Sequence, residues 1–267
     1  MVDARLTAAR AARASLLGAV LLAPAAAAQG GPAPLPEPPD PALAAVRQAL
    51  ESTAARPFAY TVNGRFKRTG IFQPPDLLTA RIAAYRSARR GTTILVKGPE
   101  GLWRTPSEHL GETVLGAPPP RGLADMIRIL EAAEPPQDLI RQLLDGLSSG
   151  TAEADTPVNG VACRVYAFAI PKNRLREDIE RQMEKERARG ETPAPDQVRW
   201  ETLRGHLRVY VSRTEGLLVR AVESRSVRVV FGGDDRTYRN VLSIDFAEHG
   251  TAVPELPDEV RVRLGTG

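Results

Sequence analysis

Between positions 207 and 246, apolar residues recur at every second place. Leu207, Val209 and Val211 alternate with Arg208, Tyr210 and Ser212. Thr214-Glu215-Gly216 then turns the chain into residues 217–223, and Val227, Val229 and Phe231 keep the same rhythm. After a second turn at Gly232-Gly233-Asp234-Asp235, Tyr238, Leu242, Ile244 and Phe246 oppose Arg239, Ser243 and Asp245. Side chains of a strand alternate between two faces, so this pattern requires a sheet with one buried face. A helix would scatter the same residues around its circumference.

The first half shows the same period in shorter pieces. Phe58, Tyr60, Val62 and Phe66 alternate with Ala59, Thr61, Arg65 and Lys67, and Gly64 marks a bulge or a close approach. Pro74-Pro75 breaks the chain before strands expected over 78–88 and 92–97. Gly98-Pro99-Glu100-Gly101 is a turn that feeds Leu102-Trp103-Arg104. The period then changes. Leu123, Met126, Ile127 and Leu130 make one helical stripe that ends at Pro135-Pro136, and Leu139, Ile140, Leu143, Leu144 and Leu147 make a second. Ala45, Val46, Ala49 and Leu50 predict a short helix before Pro57, and Asn159-Gly160 opens a strand over 161–170. Residues 172–189 read as a charged helix whose apolar line is only Leu175, Ile179 and Met183, with Glu177 and Arg181 able to pair. So thin a stripe predicts a surface insertion. Antiparallel strands with helices grouped between two halves define the α+β class.

The chain opens with Arg5, Arg10 and Arg13, an apolar run at 16–22, and then Pro24 and alanines, with Ala26 and Ala28 ahead of Gln29. This is the layout of a secretory signal peptide over residues 1–28, cleaved near Ala28, which predicts a periplasmic or secreted protein. The apolar run falls far short of the roughly 20 residues that span a bilayer, so no transmembrane anchor is expected in the mature chain. No Cys follows it to take a lipid. Prolines 32, 34, 36, 38, 39 and 41 make residues 29–41 a semi-rigid linker, leaving a domain over 42–267 that carries the charged insertion at 172–190.

Loss of the signal would remove three Arg and one Asp, lowering the net charge from +4 to +2. Lys occurs only at 67, 97, 172 and 185, basic residues are mixed with acids, and no basic stripe carries interleaved aromatics, which excludes a nucleic-acid reading. Cys163 is the only cysteine, so no internal disulfide forms; it reads as a small buried hydrophobe. His109, His206 and His249 lie far apart and lack close-spaced ligand partners, so no metal is expected. Their simplest reading is exposed or locally hydrogen-bonded. Gly146-Leu147-Ser148-Ser149-Gly150 matches a nucleophile-elbow string, but it follows a helix where that chemistry needs a strand before the Ser. Asp234-Asp235 and Asp258-Glu259 lie in turn-like segments, not in a sheltered acid pair. No cofactor motif occurs and no enzyme is expected.

Two segments carry a family likeness. Ile94-Leu95-Val96 leads through a turn ending at Gly101 to Leu102-Trp103. The closing stretch runs from Leu217 through 238–246 and Gly250 to Pro254, Pro257 and Val260. With these, and with the helices in matching order over 42–264, the chain resembles the LolA-like lipoprotein-carrier superfamily, which includes the LppX and LprG type and the RseB sensor domain. The resemblance implies an unclosed antiparallel half-barrel with helices covering its concave face around an apolar cavity for acyl chains. Strand parity then puts Phe58, Tyr60, Val62, Phe66, Leu242, Ile244 and Phe246 on the cavity side, with Leu123, Met126, Ile127 and Leu130 as its lid. An equally direct reading packs the same residues into a closed core, since apolar positions look identical in both. Two features depart from the family. A basic residue expected just after the first hairpin is missing around Gln73-Pro74-Pro75, and the helix at 172–189 is extra.

The expected function is that of an exported binding protein holding a lipid or lipoprotein acyl chain, in outer-membrane lipid or lipoprotein trafficking, with an envelope protein as a further partner. The alternative is a non-enzymatic sensor or interaction module on the same scaffold without cargo, suggested by the charged insertion and the proline linker.

Overall fold

The computed structural model describes residues 40–64, 66–111, 123–189 and 195–266. The expected signal segment and the prolines through 39 lie outside them. Helix α1 (Pro41–Ala54) begins where Asp40 accepts a hydrogen bond from the Leu43 N–H at 2.9 Å, and Pro41 sits where no backbone donor is needed. Its stripe of Leu43, Val46, Ala49 and Leu50 is buried. Thr53 clasps it to the sheet, donating to the Ala49 carbonyl and accepting from the Leu218 N–H.

Strands β1 (Phe58–Asn63), β2 (Arg68–Gln73), β3 (Leu77–Ile82), β4 (Tyr85–Arg90), β5 (Thr93–Lys97) and β6 (Trp103–Arg104) form a first meander. Helices α2 (Pro106–Gly111), α3 (Leu123–Glu131) and α4 (Pro136–Leu144) follow. A second meander holds β7 (Thr151–Val158), β8 (Val161–Ala169), β9 (Gln197–Ser212), β10 (Leu218–Phe231) and β11 (Asp234–Ala247), with α5 (Lys172–Arg189) between β8 and β9. Helix α6 (Asp258–Leu264) comes last.

All eleven strands join one antiparallel sheet in the order β6-β5-β4-β3-β2-β1-β11-β10-β9-β8-β7. The two meanders meet where β1 pairs with β11, from Ala59↔Ala247 to Asn63↔Ser243. Among the described residues nothing pairs β6 with β7, so the sheet is an unclosed half-barrel, and the α+β class holds. We call inner the face carrying Phe58, Tyr60 and Val62. Helices α1, α4 and α5 pack there on the main core, and α3 covers the same face over β3 to β5.

Several elements differ from the sequence reading; β2 and α2, for example, were not anticipated. Residues 78–88 are not one strand, because the chain turns at Ala83, which holds φ 52°. A non-glycine residue at positive φ gives no warning in the sequence. Strand β7 was not anticipated: all of it but Val158 is exposed, so it has no apolar alternation. Asn159-Gly160, both at positive φ, joins it to β8 as a hairpin turn. The Pro-containing tail ends in α6, whose Val260 and Leu264 pack on Leu77, Ala88 and Leu95 of the outer face.

Helix α5 forms over the residues expected, with most of its described side chains at the surface, and its thin apolar line is firmly seated: Leu175 is fully buried and Ile179 packs on the main core. The close approach depends on Gly205 of β9, where a Cβ would fall 2.5 Å from the Leu175 side chain. Arg174 adds a polar tie, donating to the carbonyls of Gln142, Leu143 and Asp145 at the end of α4.

This seating predicts that Leu175→Ala lowers stability by about 3 kcal/mol. In urea denaturation the midpoint should fall with an unchanged slope. Gly205→Val should produce a loss at least as large by pushing Leu175 out. A midpoint within error of wild type in both variants would mean that α5 does not rest on β9.

Candidate ligand-binding face

The inner face is assembled by register. Tyr60 stands opposite Phe246 on one side and Gly70 on the other, and Val62 opposite Ile244 and Arg68. Ile244 continues to Ala221, Val209 and Tyr166 across β10, β9 and β8. Phe58, Tyr60, Val62, Ile244 and Phe246 are all buried in the main core, and Leu242 packs half-buried against it. The Phe58 ring centroid lies 5.3 Å from those of both Phe72 and Phe246. Tyr60 reaches past Gly70 to donate its hydroxyl to the Thr79 carbonyl at 2.7 Å. A Cβ on Gly70 would lie 2.6 Å from that hydroxyl. Burial pushes the Tyr60 phenol well above its ordinary range, while the charge of Arg68 pulls the other way.

The lid residues gather elsewhere. Ile127 and Leu130 are buried with Ala80, Ile82 and Val96, flanked by Met126, in a cluster separate from the main core. The side chain of Leu123 lies outside the described ones. Phe66 falls between β1 and β2 and is 43 % exposed, so strand parity does not extend to it past Gly64. Phe66 and Leu123 aside, the expected site residues therefore occupy one face but not one cluster.

The structure adds side chains that were not singled out as site residues. Leu139 and Leu143 of α4, Ile179 of α5, Val198 and Trp200 of β9, and Phe231 of β10 are half-buried against the main core, as is Leu242. Val198 and Trp200 carry the period of a strand and could have been found by it. The guanidinium of Arg176 covers the Trp200 ring at 5.1 Å.

Charged groups interrupt this apolar surface, and Glu223 is the most deeply buried of them. Glu223 is only 5 % exposed and stands between Leu242 and Leu207 in register. Arg225 holds its carboxylate at 2.5 Å and also reaches Asp178 of α5 at 3.3 Å. Burying a carboxylate is expensive unless it is paired, so Arg225 is needed here, and it ties α5 to the sheet as well.

Elsewhere the chemistry is local. Ser148 is exposed on the loop between α4 and β7, a helix-to-strand passage and not the strand-to-helix turn of a nucleophile elbow. His109 is buried with Nε2 at 2.9 Å from the Val96 carbonyl, while His206 is exposed. Burial raises the pKa of the Cys163 thiol, which keeps it protonated and unreactive. Among the described residues no group of three or more His, Cys, Asp or Glu is placed to hold a metal. No described helix is long and apolar enough to cross a membrane.

His249 is half-buried and its Nε2 meets the Leu218 carbonyl at 2.9 Å. A carbonyl only accepts, so Nε2 carries the proton. Nδ1 is buried without a partner, and protonating it would place a second N–H where nothing receives it. Burial accordingly lowers the His249 pKa, against a smaller opposing pull from the Leu218 carbonyl.

No family model matches the chain, and no curated protein does. Among solved structures it is similar to lipoprotein LppX of Mycobacterium tuberculosis, at 14 % identity and a TM-score of 0.43, covering 80 % of this chain and 97 % of that one. LprF of Mycobacterium bovis is similar at 14 % identity and a TM-score of 0.41, with 81 % and 96 % covered. The MucA/MucB complex of Pseudomonas aeruginosa matches at 12 % identity and a TM-score of 0.35, covering 82 % of this chain and 60 % of that chain.

Two outcomes test the electrostatics. Arg225→Ala should cost about 3 kcal/mol by leaving Glu223 buried and unpaired. Adding Glu223→Leu should recover most of that loss, and a double variant as unstable as the sum of the two singles would refute the coupling. For His249, the folded pKa lies below the unfolded value of about 6.5, so the unfolded chain binds the proton first. Its contribution to stability is full above that pH and is lost as pH falls through 6.5 toward the folded pKa. Thermal unfolding between pH 7.5 and 5 should therefore show a smaller drop in Tm for His249→Gln than for wild type, and parallel curves would contradict it.

Proposed function

We infer that the chain is an exported, non-enzymatic binding protein that holds one apolar ligand of acyl-chain type between the inner face of its sheet and helices α4 and α5, in lipid or lipoprotein trafficking of the envelope. One observation carries this reading: the half-buried row of Leu139, Leu143, Ile179, Val198, Trp200, Phe231 and Leu242 borders the main core. These keep part of their apolar surface available along the helix-to-sheet boundary. Each methylene buried there contributes about 0.8 kcal/mol, so one long chain gives useful affinity with no further contact. The sequence likeness to lipoprotein carriers and the signal-peptide layout support the same role.

A second reading rests on a different observation. Strand β11 pairs with β1 only as far as Ser243, so among the described residues, positions 234–242 have β10 on one side and no paired strand on the other. Tyr238 and Val241 on this stretch are both more than half exposed. Such an edge is a template for an added strand, which favours a protein-interaction module.

The two Trp residues, 103 and 200, make the readings separable. Titrating the delipidated protein with bromine-labelled oleate should quench fluorescence to saturation, and Trp200→Phe should abolish that quenching while Trp103→Phe leaves it. No saturable quenching, together with no lipid mass on protein purified from its own host, would end the acyl-chain reading. It would shift the weight to the strand edge.

A further inference from the structure

Arg68 opens β2 opposite Val62, which puts it on the inner face among Phe58, Tyr60 and Phe72. Its guanidinium lies over the Tyr60 ring at 5.8 Å and donates through Nη2 to the Glu134 carbonyl, just before α4, at 3.1 Å. Its Nε is buried and makes no hydrogen bond. Among the described residues Arg199 shares that condition, but Arg199 has Asp235 at 3.4 Å, whereas no carboxylate pairs with Arg68. A cation is thus held at the rim of an apolar face by an aromatic ring and one carbonyl, with a donor left over.

The same corner leaves an acceptor over. Gln137 follows Glu134 by three residues, in the first turn of α4, and is only 4 % exposed, yet its Oε1 has no partner. No side chain caps this nine-residue helix, which Pro135 precedes and Pro136 begins. The positive end of its dipole lies on the side of Arg68, with Asp138 of the same turn engaged by Arg141. An orphaned buried donor and an orphaned buried acceptor each carry a desolvation penalty that a ligand can remove.

We propose that Arg68 and Gln137 form a head-group subsite for a phosphate-bearing acyl lipid, extending the acyl-chain reading on which this subsite rests. A phosphate oxygen accepts from Arg68 Nε, and an O–H of the phosphate or of the adjoining glycerol donates to Gln137 Oε1. The hydrocarbon tail then runs along the apolar inner face. A free fatty acid satisfies Arg68 but, once ionised, has no hydrogen for Gln137. A neutral monoacylglycerol has the hydrogen but no charge for Arg68.

Binding of oleoyl lysophosphatidic acid, oleate and mono-oleoylglycerol to the delipidated full chain tests the subsite by calorimetry. Wild type should bind the phosphate lipid about tenfold more tightly than the neutral one, the equivalent of about 1.4 kcal/mol. Arg68→Met should erase that preference while leaving the affinity for mono-oleoylglycerol unchanged, which also certifies the fold. Gln137→Leu should narrow the gap between phosphate lipid and oleate. If Arg68→Met fails to fold, the wild-type preference and its response to Gln137→Leu decide the matter. Equal affinity of wild type for all three lipids, or a preference that survives Arg68→Met, overturns the subsite and leaves the acyl-chain reading standing. Binding of none of the three overturns both.

Discussion

The pairing of β1 with β11 is what makes this molecule one sheet. Within each meander neighbouring strands follow one another in the chain, joined by turns except where α5 separates β8 from β9, so most of its pairing follows from local sequence. The seam does not. It joins Asn63 to Ser243, whose side chains meet at 3.2 Å across 180 positions of chain. Closing so long a loop is entropically unfavourable and must be offset by what the contact buries. The offset is visible: Phe58, Tyr60, Phe246 and Ile244 bring aromatic and aliphatic surface together across the join. With the seam made, the buried sides of both halves become one continuous inner face. Helices α1 and α4 meet over that face, and every proposed contact to a ligand presupposes it.

The seam was legible in the residues that build it. Alternation at 58–62 and 242–246 assigns the inward side chains, and the register confirms that Phe58, Tyr60, Val62, Leu242, Ile244 and Phe246 share a side. What the alternation cannot show is which strand lies next to which. Other elements were invisible for identifiable reasons. Strand β7 faces water, so its Thr151–Val158 stretch has no apolar period, and α6 offers only Val260 and Leu264 over barely two turns. Helix α2 carried a readable mark, since Thr105 and Glu108 form a reciprocal cap in which each side chain accepts from the other's backbone N–H.

The candidate site was legible only in part, and the reason is geometric. A strand pattern says which side a residue faces but not how completely the opposite layer covers it. Val198, Trp200 and Phe231 are half-buried because of where α5 comes to rest, and that position is set by Gly205 and Leu175 on different elements. Polar residues on the inner face were harder still. Glu223, Arg225 and Arg68 break the apolar rhythm of that face, where a pattern-based reading takes a charge to mean solvent. Violations of this kind are where a fold departs from what stability alone would select.

Arg174 links two helices that the chain itself separates by the whole β7–β8 hairpin. Its guanidinium binds the final carbonyls of α4 from the first turn of α5, so the end of one helix is fastened to the start of the next. Kinematically the pair behaves as a single hinged plate. Raising α5 off the sheet either tears those bonds or carries α4 along, and α4 is in turn attached at its other end through Glu134 to Arg68. The roof over the inner face is therefore fixed to the sheet at both ends: at α5 by Arg225 and Asp178, and ahead of α4 by Arg68. With Leu175 seated on Gly205 between them, these attachments restrain the roof at two separate edges of the sheet.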